Sequence, residues 1–232
     1  MNELVGRVAI VTGGDGAIGG AIIERLRSGG TNALSLDTKD GAGIHCDVTD
    51  DTSVSQAVGR IESESGRLDV AVHAAGISRD AVVWKLGVDE WDRIQAVNLR
   101  GAFLLIRHSV PLMRKSGGGR IILIGSINGS RGKYGTSAYS ASKSGLLGLS
   151  RTVSREVGRF GITVNVVEPG WVRTPLTEAL DDRWRDEAVA ETQLGELVEP
   201  SDIAAMVAFL SGPDGRRITG QILRVDAGQC IG

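Results

Sequence analysis

Arg7-Val8-Ala9-Ile10-Val11-Thr12-Gly13-Gly14-Asp15-Gly16-Ala17-Ile18-Gly19 decides the fold. Residues 7–12 are a short apolar, β-branched run, and the glycines after them lead into an apolar helical pattern, so the stretch reads as strand, turn, helix. Glycine lets the backbone take positive φ and lets a bulky phosphate approach closely. A helix that begins there offers unpaired N–H groups and its positive dipole end to a pyrophosphate. Gly14, Gly16 and Gly19 match G-x-G-x-x-G in the context that the motif requires. The acidic residue expected about 20 positions later is Asp37, at the end of Ala33-Leu34-Ser35-Leu36. A carboxylate there accepts hydrogen bonds from ribose hydroxyls and repels a 2′-phosphate, so the residues predict NAD in preference to NADP. Asp15 adds negative charge to the turn, and no Arg or Lys occupies positions 14–16. Lys39 either softens that preference or is a solvated loop charge.

Outward from this stretch, strands are expected near 7–12, 31–36, 43–46, 68–72, 120–125, 162–167 and 221–225. Helices are expected over 17–28, 51–64, 89–114, 138–158 and 201–211, the last stopped by Gly212-Pro213. Strand–helix alternation favours an α/β fold, a Rossmann-type doubly wound parallel sheet of about seven strands flanked by helices on both faces. Ligands in such sheets bind beyond the carboxyl ends of the strands. That rule gathers Gly13–Gly19, Asp37, Ala74–Gly76, Ser126 and Pro169–Thr174 on one rim.

Tyr139-Ser140-Ala141-Ser142-Lys143 places a phenol and an ammonium on one face of a helix. An unperturbed tyrosine has a pKa of about 10. Unit charges roughly 4 Å apart at an effective dielectric of about 20 interact by about 4 kcal/mol. At about 1.4 kcal/mol per pKa unit, Lys143 can lower Tyr139 by about two or three units. On its own such a pair is more often a solvated helix face.

Together these residues resemble the short-chain dehydrogenase/reductase family, and the likeness spans essentially the whole chain. Ser126 in Ile124-Gly125-Ser126 and Asn98 in Ala96-Val97-Asn98-Leu99 match the family's catalytic Ser and Asn. Pro169-Gly170-Trp171-Val172-Arg173-Thr174 resembles its nicotinamide-binding segment, Asp47-Val48 its adenine-contacting pair, and Ile218-Thr219-Gly220-Gln221 its C-terminal signature. The resemblance implies Asn98, Ser126, Tyr139 and Lys143 as catalytic residues. Gly13, Asp15, Gly16, Ala17, Ile18, Gly19, Asp37, Asp47, Val48, Ala74, Ala75, Gly76, Pro169, Gly170, Val172 and Thr174, with Tyr139 and Lys143, would hold the cofactor. Asp47 is otherwise a turn or cap residue before the helix that begins near Asp51.

Three departures stand out. Ala17 replaces the middle glycine of TGxxxGxG, and Thr12-Gly13, Gly16 and Gly19 also fit the TGxxGxxG of sugar-nucleotide epimerases and dehydratases. Those enzymes need a substantial C-terminal substrate domain, for which the chain after Thr174 is too short. His73-Ala74-Ala75-Gly76 stands where the family often has NNAG, so His73 takes over a structural hydrogen-bonding role. Asp37 and Gly43-Ile44-His45-Cys46 are too close for a full crossover helix, since a parallel crossover normally takes a dozen or more residues. Either the helix is trimmed to a turn or the strand boundaries differ.

The implied chemistry is reversible hydride transfer between nicotinamide and a secondary alcohol or ketone. Tyr139 acts as acid or base, Lys143 lowers its pKa and bonds the nicotinamide ribose, Ser126 bonds the reacting oxygen, and Asn98 helps hold a water in a proton relay. Gly76-Ile77-Ser78-Arg79-Asp80 and Gly161-Ile162-Thr163-Val164-Asn165-Val166 look most like 3-oxoacyl-carrier-protein reductases. Those commonly use NADPH, against which Asp37 argues, so a 3-oxoacyl thioester competes with a cyclic or aliphatic secondary alcohol or diol. Residues 175–195 are expected to form a substrate lid, with Leu176, Leu180, Trp184 and Val189 as an apolar wall or Asp181, Asp182, Arg183, Arg185 and Asp186 as a solvated face. Arg131 and Lys133 either meet an anionic substrate or are solvated. A non-catalytic dinucleotide sensor is the reading from another class, disfavoured because the tetrad is complete.

At 232 residues the chain suits one catalytic domain. A net charge of −2 advertises neither nucleic acid nor a membrane surface. Cys46 and Cys230 have no CxxC spacing, so no metal site or disulfide framework is expected. With no apparent signal peptide and no long apolar run, the expected location is the cytoplasm. The family usually forms homotetramers or homodimers, for which Ala102, Phe103, Leu104, Ala141, Gly145, Leu146 and Leu149 are candidate contacts or simply core.

Overall fold

The run Val8–Thr12 is strand β1 of a computed structural model that describes residues 4–39, 43–178 and 182–231, apart from the side chains of residues 176 and 178. It leads through the glycine turn into α1 (Ala17–Ser28). The other strands are β2 (Asn32–Asp37), β3 (Ile44–His45), β4 (Val70–His73), β5 (Gly119–Ile124), β6 (Ile162–Pro169) and β7 (Ile222–Val225). They form a seven-stranded sheet in the order β3-β2-β1-β4-β5-β6-β7, with each neighbouring pair parallel. This is the doubly wound Rossmann-type sheet that the sequence predicts.

Burial explains why the strands are apolar throughout rather than alternating. Val8 and Ile10 of β1 join one core with α2 (Asp51–Ser65), α4 (Gly101–Lys115) and α6 (Ser137–Val157). Ala9 and Val11 point to the opposite face and pack with α1 and α9 (Pro200–Ser211). β5 divides the same way, Ile121 and Leu123 against Ile122 and Ile124. Strand order reverses between β1 and β4, and the crevice at such a switch point is the ligand position in open parallel sheets.

The helices depart from expectation at three places. The helix expected over 89–114 is α3 (Val88–Gln95), a π-helical turn over Ala96–Arg100, and α4. The π turn carries Asn98 inward, and such single turns are frequent at functional sites. A short helix not foreseen, α5 (Ile127–Arg131), begins directly after β5, with Ser126 as its N-cap accepting from the Asn128 N–H. The expected lid contains α7 (Pro175–Glu178) and α8 (Asp182–Glu191); Leu180 and Asp181 lie outside the described residues.

The short connection after Asp37 coexists with parallel pairing, Leu36 opposite Ile44 and Asp37 opposite His45. β3 spans only Ile44–His45, so the chain regains little length before pairing. Among the candidate oligomer contacts, Ala102, Leu104 and Leu146 are buried in the chain's own core, while Phe103 is 46% exposed. No helix among the described residues is long and apolar enough to cross a membrane.

A Cβ on Gly19 would run into the carbonyl oxygen of Gly13, which fixes how closely α1 approaches the turn. Gly19→Ala should therefore destabilise the fold by about 1–3 kcal/mol, read as a lower denaturant midpoint. An unchanged midpoint would contradict this packing.

Candidate active site

Two turns of backbone meet at the carboxyl end of the sheet. Gly13, at φ +65°, lies so close to the segment after β4 that a Cβ there would sit 2.7 Å from the Ala75 Cα. Thr12 ties the two together, because its hydroxyl oxygen accepts from the Ala75 N–H at 3.2 Å. Helix α1 then starts at Gly16 with no side-chain cap and no acid in its first turn. Its leading N–H groups are left for an anion, as required for a pyrophosphate.

These turns form one wall of a cleft of about 860 Å³, within the range of small-molecule and cofactor sites. Gly13, Asp15, Gly16, Ala17, Ile18, Gly19, Ala74, Gly76, Pro169, Gly170, Val172 and Thr174 line it together with Ser126, Tyr139 and Lys143. The remaining sequence-selected residues stand behind or away from the surface of the cleft. Asp37 is held beneath the glycine turn, its carboxylate accepting from the N–H groups of Asp15 (3.1 Å), Thr38 (2.8 Å) and Lys39 (3.3 Å). Asp15 accepts from the Ser35 hydroxyl at 2.8 Å.

Asp47 is the N-terminal residue of a turn, with Oδ1 accepting from both the N–H and the hydroxyl of Thr49 at 2.8 Å. Val48 is buried, next to Gly101. The cap of α2 is Asp50, which accepts from the Thr52 and Ser53 N–H groups.

Asn98 is fully buried behind Gly76. Its Nδ2 donates to the Ile77 carbonyl and the Ser142 hydroxyl, both at 2.9 Å, and its Oδ1 accepts from the Ile77 N–H at 2.8 Å. The side-chain amide is thus committed to holding the 77–78 wall of the cleft against α6. Gln95 assists from α3 by donating to the Ala138 carbonyl at 2.9 Å.

On α6, Lys143 donates from Nζ to the Ile124 carbonyl at 2.8 Å, and its Nζ lies 5.7 Å from the centre of the Tyr139 ring. Burial lowers the Lys143 ammonium to about 8. The Tyr139 phenol is shifted upward, chiefly by burial; the Ser126 side chain acts in the opposite sense and the Asp80 charge adds to the rise. The expected lowering of Tyr139 by Lys143 is therefore not what this geometry produces. Desolvation outweighs an ammonium that is directed at the end of β5. The Tyr139 phenol therefore stays protonated at neutral pH.

His73 is buried, and its Nδ1 lies 3.0 Å from Thr12 Oγ1. That hydrogen bond joins β1 to β4. Burial first, and the Lys143 charge second, lower His73 to about 3, opposed by the backbone carbonyls of Asn98 and Val97. A neutral histidine bracing β1 and β4 fits the structural role expected of it.

Sequence reasoning missed the residues that hold the walls. Ile124 contributes only a carbonyl, which no motif reveals. Arg131 pairs with Glu191 at 2.9 Å, and Gln229 donates to the same carboxylate at 2.8 Å while accepting from the Trp171 N–H at 2.9 Å. Lys133 lies over the Trp171 ring at 4.8 Å. The loop cations considered for an anionic substrate are thus engaged by the protein.

Comparison with known proteins agrees with this geometry. A protein-family profile described as Enoyl-(Acyl carrier protein) reductase matches residues 21–229. The 3-oxoacyl-[acyl-carrier-protein] reductase FabG of Salmonella typhimurium is 38% identical over 96% of this chain and 97% of its own. The reductase MabA of Mycobacterium tuberculosis, of the same description, is 35% identical over 98% and 94%. Among solved structures, the ligand-free aldohexose dehydrogenase of Thermoplasma acidophilum superposes with a TM-score of 0.92 at 30% identity, covering 98% of this chain and 95% of that one. The protein gox2181 superposes with a TM-score of 0.94 at 30% identity, covering 99% and 98%.

His73 carries a pH signature. Its folded value lies below the unfolded one of about 6.5, so the unfolded chain binds more protons below that pH. The stability is present above pH 6.5 and lost as pH falls towards 3. Between pH 7 and 5 this amounts to about 2 kcal/mol. Denaturant unfolding should show a stability difference between wild type and His73→Asn that shrinks by that amount as pH falls from 7 to 5. Parallel pH profiles would refute the buried neutral histidine.

Proposed function

The chain belongs to the short-chain dehydrogenase/reductase family of oxidoreductases, and from that membership we propose that it interconverts a secondary alcohol and a ketone with NAD(H), a 3-oxoacyl thioester being the substrate class. The observation that carries this reading is the meeting of Ser126, Tyr139 and Lys143 with the uncapped start of α1 in one cleft. The glycine turn and α1 would hold the pyrophosphate, Asp37 the adenosine ribose, and Pro169–Thr174 the nicotinamide. When bound, the dinucleotide supplies or accepts the hydride.

The protein's own part is proton transfer and orientation. Tyr139, kept protonated, donates to the oxygen of the ketone under reduction and takes the proton back in oxidation. Ser126 accepts from the Asn128 N–H at 3.2 Å, and its hydroxyl, which reaches Tyr139, would turn its proton to the same substrate oxygen. Lys143, lowered to about 8, can return a proton to Tyr139 near neutrality. The Asn98 side chain makes three hydrogen bonds, to Ile77 and Ser142, which leaves one lone pair on Oδ1 for a relay water.

NAD preference rests on two carboxylates. Asp37 is fixed by three backbone N–H groups beneath the turn, and Asp15, beside it, lines the cleft. Both repel a 2′-phosphate. Lys39, the cation on the same wall, opposes them. The structural likeness to an aldohexose dehydrogenase supports a second reading, oxidation of a sugar or other secondary alcohol. Exposed Phe103 on α4 suits an interface in a homotetramer or homodimer.

Tyr139→Phe should lower kcat by about 10²–10⁴-fold with NADH binding unchanged by fluorescence titration. Retained turnover with normal binding would refute Tyr139 as the acid. Asp37→Ser should raise kcat/KM with NADPH relative to NADH, and Asp37→Ser with Asp15→Asn should raise it further. A wild-type enzyme that already prefers NADPH would overturn the cofactor assignment.

A further inference from the structure

Beside Ser126 the cleft carries a polar side chain that the reaction as described does not use. Asn128 lies on the first turn of α5 and lines the cleft with Ser126 and Tyr139. Its backbone N–H is spent on the Ser126 hydroxyl oxygen. Its side-chain oxygen accepts from Arg131 Nε at 3.2 Å. Arg131 is itself anchored, by Glu191 at the end of α8 and by the Gln229 carbonyl at 3.4 Å. The orientation of the amide is therefore set by a chain of partners outside the cleft, with its oxygen directed to Arg131.

What remains is Nδ2, a two-proton donor without a hydrogen-bond partner among the described residues. Several polar side chains around the cleft already have protein partners: both Asn98 Nδ2 protons go to Ile77 and Ser142, Lys143 donates to Ile124, and the Thr177 hydroxyl donates to the Val172 carbonyl at 2.8 Å. Ser126 and Tyr139 both direct donors at one substrate oxygen, so a further donor two residues along from Ser126 has no role with a substrate that carries a single oxygen. A site built to hydrogen-bond a substrate group discriminates against the analogue that lacks it.

We propose that Asn128 is a specificity-determining residue whose side-chain amide donates to a second substrate oxygen, carried one or two carbons from the reacting carbon. This rests on the oxidoreductase reading above and narrows it. The thioester carbonyl of a 3-oxoacyl group and the neighbouring hydroxyl of a sugar share that chemistry; a plain ketone lacks it. Asn128→Asp retains the size and the acceptor for Arg131 and removes the donor, and Asn128→Ala removes both.

The experiment compares wild type and both variants on acetoacetyl-coenzyme A with NADH, D-glucose with NAD, and cyclohexanone with NADH. The expected result is a fall of about tenfold in kcat/KM for the two-oxygen substrate in both variants, the size of one lost hydrogen bond, with cyclohexanone turnover and NADH affinity unchanged. A loss confined to acetoacetyl-coenzyme A assigns the thioester, and one confined to glucose assigns the sugar. Equal losses on cyclohexanone, no loss on any substrate, or a wild type that prefers cyclohexanone overturns the assignment of Asn128 alone. A wild type that binds NADH and turns over none of the three refutes the oxidoreductase reading, and the inference with it.

Discussion

Parallel pairing of β1 with β2 on one side and β4 on the other is the constraint on which the rest depends. Neighbouring parallel strands end at the same edge of the sheet, so the segments after β1, β4, β5 and β6 emerge on one rim. Because the strand order reverses between β1 and β4, the helices that follow them leave to opposite faces and open a crevice. The glycine turn, the 74–76 segment, Ser126 and Pro169–Thr174 meet there although they are far apart in the chain.

The chemistry of the cleft follows from where desolvation is compensated and where it is not. Lys143 is buried with a backbone carbonyl as partner and no carboxylate, so its ammonium is held weakly and sits near 8. Tyr139 is shifted the other way by the same burial. The same burial thus pushes the two groups in opposite directions, each towards its neutral form. His73 lies within the same electrostatic environment, where burial and the Lys143 charge hold it neutral.

Much of the fold was legible because its signals are local. A buried parallel strand is a continuous apolar run, a phosphate turn needs glycines, and Tyr139 and Lys143 share a helix face by simple periodicity. The π turn at Ala96–Arg100 was not legible, since its helical periodicity on either side is intact and the irregularity answers to Ile77 and Ser142, distant in sequence. Helix α5 was missed for a related reason: Ile127–Arg131 is too short for periodicity to register, and its N-cap Ser126 stands out in the sequence as a catalytic candidate instead. The value of Tyr139 was anticipated with the wrong sign, because spacing gives the distance to Lys143 but not the burial that competes with it.

The sequence by itself determined the class of fold and the glycine turn after β1, because each is written in residues that lie within a turn or two of one another. Only the tertiary structure decided which groups are spent and which are free. It showed the Asn98 amide held by Ile77 and Ser142, Arg131 paired with Glu191, and the Asn128 side-chain oxygen accepting from Arg131. Hydrogen-bond commitment depends on partners brought together by packing across the chain, and no local pattern in the sequence carries that information.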